Sequence, residues 1–475
     1  MRTEMFIAGQ WRPAASGATF ETIDPATEQP IASIARGAAA DVDAAVQAAD
    51  VAMRGPWRGV TPAERGRLLV KLAAAIAARR DEIARLETLD VGKPLKDSLG
   101  DVDGVIATLT YNAGAADKMQ GETIPLGLGV VDFTWLEPLG VTAHIVPWNF
   151  PLGMAIRSAA PALAAGCTVV LKPAEQSPLS ALLLGELAAA AGFPPGVVNV
   201  VPGFGEEAGA ALVRHPLVRG ISFTGSVETG RLILAGAAPG IKPSVLELGG
   251  KNPMIVFPDA DLERAAADAA DGLFGNCGQV CSSSSRFLLH PAIRTEFLER
   301  LAAHAARLTI GPGIEDADLG PLVSEEQHRK VLGYLADGRA AGARLVCGGG
   351  RPAHLKRGYF VEPTLFAGAT PTMRIAREEI FGPVGVAIDI ADEAEAVAIA
   401  NGLGYGLVAG VYTRDIGRAL SLAQRLEAGS VWINGWYLGG VQAPTGGIKE
   451  SGIGRERGLA GIRNYLQIKN VAIRL

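Results

Sequence analysis

Between residues 141 and 237 short β-branched runs alternate with helical stretches, and no other feature limits the possible folds of this chain more tightly. The runs 141–146 (VTAHIV), 167–171 (CTVVL), 197–201 (VVNVV) and 219–223 (RGISF) read as short buried strands. Ala-rich helical stretches at 152–166, 178–192 and 227–237 lie between or after them. Strands apolar on both faces need cover on both faces, which crossover helices on a parallel sheet supply. The alternation resumes after Gly249-Gly250. Strands are expected at PMIVF (253–257), 286–290, 344–347, 384–390 and 407–412, and helices at 261–275, 291–308, 324–342 and 392–401. Two α/β domains, divided near residue 248, follow from this pattern. Residues 61–90 predict one long amphipathic helix, with Thr61 and Glu64 as a capping box, Pro62 in its first turn, and Gly92 and Pro94 ending it. The stretch 122–138 fits neither pattern and is expected to pair with 464–474 as a projecting strand pair.

Composition removes several function classes. At 475 residues the chain can bury large cores without disulfides. Its 44 basic and 49 acidic side chains give a net charge of −5, which argues against nucleic acid as a partner. The segment MRTEMFIAGQWRP has no apolar h-region, so no secretory signal is expected. Arg157 and Lys172 interrupt the longest apolar stretches, so no membrane span is expected. Cys167, Cys277, Cys281 and Cys347 are too few for a disulfide framework, and free thiols suit a cytoplasmic protein. The six histidines are scattered and Cys277 and Cys281 lack a partner pair, so no metal site is expected.

Three segments carry candidate chemistry. In GQVCSSSSR (278–286), Cys281 sits among small polar residues after a helix; it is either a buried inert thiol or a nucleophile within ligand reach. Glu247 in LELGGK is an acid in an apolar run; it is either a turn residue or a desolvated general base. Asn149 in PWNFP (147–151) is either an ordinary turn asparagine or an amide fixed to donate to an oxyanion. For phosphate there are GFGEEAG (203–209), which includes Gly205 and departs from GxGxxG, and FTGSVETG (223–230), which follows a strand and opens a helix. Lys172 and Glu175 in LKPAE end another strand, where a carboxylate can hold ribose hydroxyls.

Taken together, PWNFP, LKPAE, FTGS, LELGGK, GQVC, EEIFGPV (378–384) and GGIKESGIGRE (446–456) resemble the NAD(P)-dependent aldehyde dehydrogenase superfamily, in its order and spacing across nearly the whole chain. The resemblance implies an α/β fold of two Rossmann-like open-sheet domains plus a small β oligomerisation element. The dinucleotide-binding domain would be 1–119 and 139–248, the catalytic domain 249–446, and the bridging element 120–138 and 460–475. It implies that Cys281 adds to the aldehyde carbon, that the Asn149 amide and the Cys281 backbone N–H hold the oxyanion, and that Glu247 activates the water that hydrolyses the thioester. It places Lys172 and Glu175 at the adenosine ribose, Gly205, Gly225 and Ser226 on the phosphate side, Trp148 and Phe381 near the nicotinamide, Glu379 at its ribose, and Glu456 in a proton relay. It implies NAD in preference to NADP, because Glu175 repels a 2′-phosphate. Glu247 implies release of a free acid without coenzyme A. The implied partners are a small aldehyde and further copies of the chain, as a homodimer or homotetramer.

Several positions depart from common family members. Arg157 stands where many carry tryptophan facing the aldehyde; it either meets a substrate carboxylate or pairs with a protein acid. Phe150, Arg157, Gly275 and Thr445 occupy the places of a quaternary-ammonium box, so betaine aldehyde is a poor candidate. Trp436 and Tyr437 are expected as aromatic tunnel walls, which keeps a polar or bulky aldehyde open beside a semialdehyde. The competing reading from another class is a non-catalytic binding or structural protein on the same fold.

Overall fold

The computed structural model describes all 475 residues. Five strands form the parallel core of a first, eight-stranded sheet: β1 (Val141–Ile145), β2 (Thr168–Lys172), β3 (Val198–Val200), β4 (Val218–Thr224) and β5 (Ser244–Glu247). Their spatial order is β3-β2-β1-β4-β5 and every neighbour is parallel. The order reverses beside β1, so the loops leaving β1 and β4 run to opposite sides and open a crevice at the carboxyl edge. The two-residue period sorts the core. Val169 and Leu171 of β2 join an apolar cluster of 43 residues on one face, and Val170 joins one of 24 on the other.

The second sheet contains β6 (Pro253–Val256), β7 (Arg286–Leu289), β8 (Thr364–Ala367), β9 (Val384–Asp389), β10 (Val408–Tyr412) and β11 (Ser430–Ile433). The order is β8-β9-β7-β6-β10-β11, all parallel, with Arg344–Cys347 antiparallel on the β8 edge. Both sheets are Rossmann-like. The strands β8 and β11 carry no expectation above, and neither do three short strands of the first sheet, of which Gln10–Arg12 forms one edge, antiparallel to Met5–Ile7. Met5–Ile7 pairs with β3 and Gly452–Ile453 with β5, both antiparallel. Elements of three and two residues are too short to show a period. The strand Leu466–Arg474 pairs antiparallel with Val130–Pro138, as expected for the projecting pair. No helix is long and apolar enough to cross a membrane.

The single helix expected over 61–90 is two, Pro62–Ala78 and Arg80–Val91. The capping box is present, with Thr61 accepting from the Glu64 amide at 3.3 Å, and Gly92 ends the second helix with φ 92°. The break falls at Arg79, which has φ −118° and pairs with both Glu82 and Glu186 at 2.7 Å. No glycine or proline marks it; tertiary pairing overrides helix propensity there. The second helix carries two buried carboxylates. Glu87 accepts from the Leu152 amide at 3.0 Å and Asp90 from the Leu179 amide at 2.8 Å. Each satisfies a free donor at the start of a helix following β1 or β2, and a negative charge is favoured there.

Glu247 ends β5 and Pro253 begins β6, so residues 248–252 join the carboxyl edge of one sheet to the amino edge of the other. Asn252 closes this seam. Its buried amide donates to the carbonyls of Cys281 and Ser283, both at 2.8 Å, and its Oδ1 accepts from the Val408 amide at 3.1 Å. Asn252→Ala leaves these backbone groups unpaired, at about 1–3 kcal/mol for each buried group. Denaturant unfolding should show a loss of at least ~2 kcal/mol, and an unchanged midpoint would contradict this role.

Candidate active site

The crevice at the β1/β4 reversal receives Pro147, Trp148 and Asn149 from β1 and Thr224, Gly225 and Ser226 from β4. Ser226 caps the helix Val227–Ala237, its Oγ accepting from the Thr229 amide at 3.1 Å, and the remaining amides of that first turn are open to an anion. Lys172 and Glu175 pair at 2.9 Å beyond β2, and Gly205 opens a short helical turn. Lys172, Glu175, Gly205, Trp148, Gly225 and Ser226 line one elongated cleft.

That cleft shares Trp148, Gly225 and Ser226 with a deeper cavity of about 230 Å³, which also reaches Asn149, Glu247, Cys281, Glu379 and Phe381. The Trp148 and Phe381 rings meet edge to face at 5.2 Å. A third cavity of about 300 Å³ holds Arg157, Trp432, Tyr437, Thr445 and Arg457. Thr224, Glu247 and Cys281 line both inner cavities, so a molecule in either meets the same thiol and the same carboxyl group. An adenine-ended dinucleotide fits this sequence of spaces. The cleft offers a carboxylate and a cation at the far end, a helix N-terminus midway, and two aromatic rings beside Cys281.

Burial decides the resting charges. Burial pushes the Cys281 thiol up to about 11; Arg157 opposes this while Glu379 and Glu247 reinforce it. Glu247 is raised well above the ordinary carboxylate range by burial and then by the charge of Glu456. Its Oε1 has no hydrogen-bond partner, and a side chain at Gly446 would come within 2.5 Å of that oxygen. Glu379 is pushed up to about 7 by burial, held back by the hydrogen bond its Oε1 accepts from the Gly250 amide at 3.0 Å. A Cβ at Gly249 would lie 2.3 Å from Glu379 Oε2, so a side chain there would displace this carboxyl group. Asn149 donates one amide hydrogen to the Gln279 carbonyl at 2.8 Å, which fixes the side chain and leaves its second N–H free.

Arg157 forms an ion pair with Glu456 and donates to Thr445 Oγ1 at 3.2 Å. Of its two readings, pairing with a protein acid is the one observed. Two expected tunnel residues lie elsewhere. Phe150 packs under the Lys93 ammonium, 4.2 Å from its ring centroid, and is not part of the cavity wall. Lys93 is itself buried, 2.7 Å from Asp101. Trp436 is buried behind the wall, its indole N–H donating to the Ser282 carbonyl at 3.1 Å. Trp432, edge to face with Trp436 at 5.1 Å, lines the cavity in its place. The change of partner between Trp432 and Trp436 depends on how the chain leaves β11, which no local pattern encodes. Gln327 was also missed. It donates to the Phe381 carbonyl at 2.6 Å and supports that residue's left-handed turn (φ 58°).

Comparison with known proteins matches the geometry. The profile of the Aldehyde dehydrogenase family covers residues 11–471. The hydroxyisobutyraldehyde dehydrogenase of Mycolicibacterium austroafricanum is 48% identical over 99% of this chain and 94% of its own length. Aldehyde dehydrogenase 1A1 of Gallus gallus is 46% identical over 100% of this chain and 94% of its own. The solved NAD⁺ complex of an aldehyde dehydrogenase from Bacillus cereus superimposes with a TM-score of 0.98 at 45% identity, covering 100% of this chain and 97% of that one. A thiol and a buried acid shared by two cavities, on paired Rossmann-like sheets, sit in a chain that belongs to the aldehyde dehydrogenase family.

Proposed function

We propose that this aldehyde dehydrogenase uses NAD and releases a free carboxylic acid, with Cys281 as nucleophile and Glu247 as base. One observation carries the reading: Cys281 and Glu247 are the two titratable side chains lining both inner cavities. Cofactor and aldehyde can therefore approach the same sulfur from opposite sides. Lys172 and Glu175 hold the adenosine ribose, Gly205, Gly225 and Ser226 border the phosphates, and Glu379, Trp148 and Phe381 surround the nicotinamide end. When bound, NAD supplies the hydride acceptor.

The chain's own residues do the rest. Cys281 gives its proton to solvent water, Sγ bonds to the aldehyde carbon as the C=O π pair moves to oxygen, and the free Asn149 N–H and the Cys281 backbone N–H hold the oxygen that becomes negative. Oxidation of that adduct leaves an acyl group on Sγ. Glu247 takes a proton from water, the water oxygen bonds to the acyl carbon, and the C–S bond breaks to return the thiol and a carboxylic acid. Glu456, held by Arg157, is the second acid of the proton relay. The projecting pair supports a homodimer or homotetramer, because its outer strand Leu466–Arg474 offers an unpaired edge with Ile468 and Ile473 exposed. The non-catalytic alternative has no observation in its favour.

Cys281→Ala should give no NADH from any aldehyde. Glu247→Gln should give a burst of one NADH per site, then a steady rate at least about 100-fold below wild type, since removal of a general base costs roughly 10²–10⁴. Stopped-flow absorbance reads both, without coenzyme A, and a burst-free Glu247→Gln variant of full activity would contradict the assignment.

Both raised pKa values put the deprotonated forms on the alkaline side. kcat/KM should therefore rise with pH across 6 to 9 as Cys281 gives up its proton, and Glu247→Gln, which acts on the later hydrolysis, should alter the pH dependence of kcat. A profile that falls over this range would overturn the charge states described.

Wild type should favour NAD over NADP in kcat/KM. Glu175→Gln should shift the ratio about tenfold toward NADP, as expected when a charge facing a phosphate is removed. A wild-type NAD/NADP ratio below one would exclude this cofactor assignment.

A further inference from the structure

Besides the Cys281 thiol and the Tyr437 phenol, the 300 Å³ cavity beyond Cys281 has three chargeable groups in its wall: Arg157, Glu247 and Arg457. Two of them are accounted for. Arg157 is paired with Glu456, and burial together with the charge of Glu456 raises Glu247 well above the ordinary carboxylate range. Arg457 has neither ion-pair nor hydrogen-bond partner; the groups acting on it are Arg157, Glu456, Cys281 and Glu247, all through space. Burial and the like charge of Arg157 push its guanidinium down only to about 10, so it remains a cation at neutral pH. Arg457 is therefore the one cation in the cavity wall without a paired acid.

The backbone holds that charge in place. Thr445 and Glu456 form an antiparallel bridge, with the Thr445 amide donating to the Glu456 carbonyl at 2.8 Å and the Glu456 amide donating to the Thr445 carbonyl at 2.7 Å. Arg457 follows at φ 59° and ψ 172°, a conformation that costs a non-glycine residue of order 1–3 kcal/mol. Its neighbour Gly458 is tied by its amide to the Val441 carbonyl at 2.9 Å. Its guanidinium nitrogens are accessible within the cavity and make no hydrogen bond to the protein, which leaves the fork's donors free for a ligand. The same cavity wall holds the hydroxyl-bearing Ser282, Ser430 and Thr445 and the rings of Trp432 and Tyr437. A planar acceptor reaching the fork can bond to it twice, which favours a carboxylate.

We infer that Arg457 is a specificity-determining residue that binds the carboxylate of an aldehyde acid, whose carbonyl carbon lies at Cys281 and whose acid group lies at the Arg457 end of the same cavity. This places the selectivity for an acidic substrate on Arg457 and leaves Arg157 to hold Glu456. The inference rests on the dehydrogenase reading above, and the chemistry at Cys281 is the one already described.

The test compares 4-oxobutanoate with butanal, two probes of equal carbon chain that differ in the acid group. NADH formation is followed with wild type, Arg457→Leu and Arg457→Lys. Wild type should prefer 4-oxobutanoate by at least tenfold in kcat/KM. Arg457→Leu should reduce that preference at least tenfold, mainly through KM for the acid, and Arg457→Lys should reduce it less, because the charge remains while the fork is lost. A charge-assisted contact of this kind is worth about 10- to 100-fold. A wild-type preference below tenfold, or one that Arg457→Leu reduces less than tenfold, would overturn the assignment. Butanal separates the two failures: no NADH from either aldehyde in wild type would instead refute the dehydrogenase reading. Turnover of butanal by each variant also reports that its site is assembled.

Discussion

The amide of Asn252 is the contact on which the arrangement of this molecule turns. One sheet ends at Glu247 and the other starts at Pro253, so the reacting groups must be brought together across a joint between two separately packed cores. Asn252 spans it by bonding to the Cys281 and Ser283 carbonyls and to the β10 backbone. The thiol loop is thereby referenced to the same short linker that carries the base. A parallel sheet can place a cofactor at its carboxyl edge without such a joint. Placing a nucleophile from the second sheet against that cofactor requires it.

The electrostatics of the site come from withholding water. Burial raises both Cys281 and Glu247 because it disfavours their ions, and each is near a group that tips the balance. Arg157 favours the thiolate, whereas Glu456 disfavours ionisation of Glu247. Because Arg157 and Glu456 are paired with each other, the two influences are linked in one contact. That contact ties the helix after β1 to the segment returning near the C-terminus.

Much of this was legible in the sequence because it is local. The alternating runs identify the parallel cores, Thr61 and Glu64 mark a helix start, and the short motifs around Asn149, Glu247 and Cys281 identify the chemistry. What was not legible depends on distant partners. Arg79 looks like an ordinary helix residue until Glu186 pulls on it. Glu87 and Asp90 look like solvated charges, yet they satisfy amides 65 and 89 residues away. Phe150 belongs to a motif that borders the site, but its ring packs under Lys93. Arg157 could be narrowed to two readings and no further, because choosing between them required knowing where Glu456 lies. Arg457 had no signal, since an unpaired charge can be recognised only once every other charge has been assigned.

The strand Gly452–Ile453 has a consequence for how the enzyme is made. It seals the outer side of β5, with Gly452 opposite Glu247, and Gly446 closes over the carboxyl oxygen. The base is therefore enclosed by residues synthesised some two hundred positions after it. The enclosure of Glu247 is thus completed by the last stretch of the chain, and a polypeptide ending before Gly446 would hold the thiol and the carboxyl group without that cover.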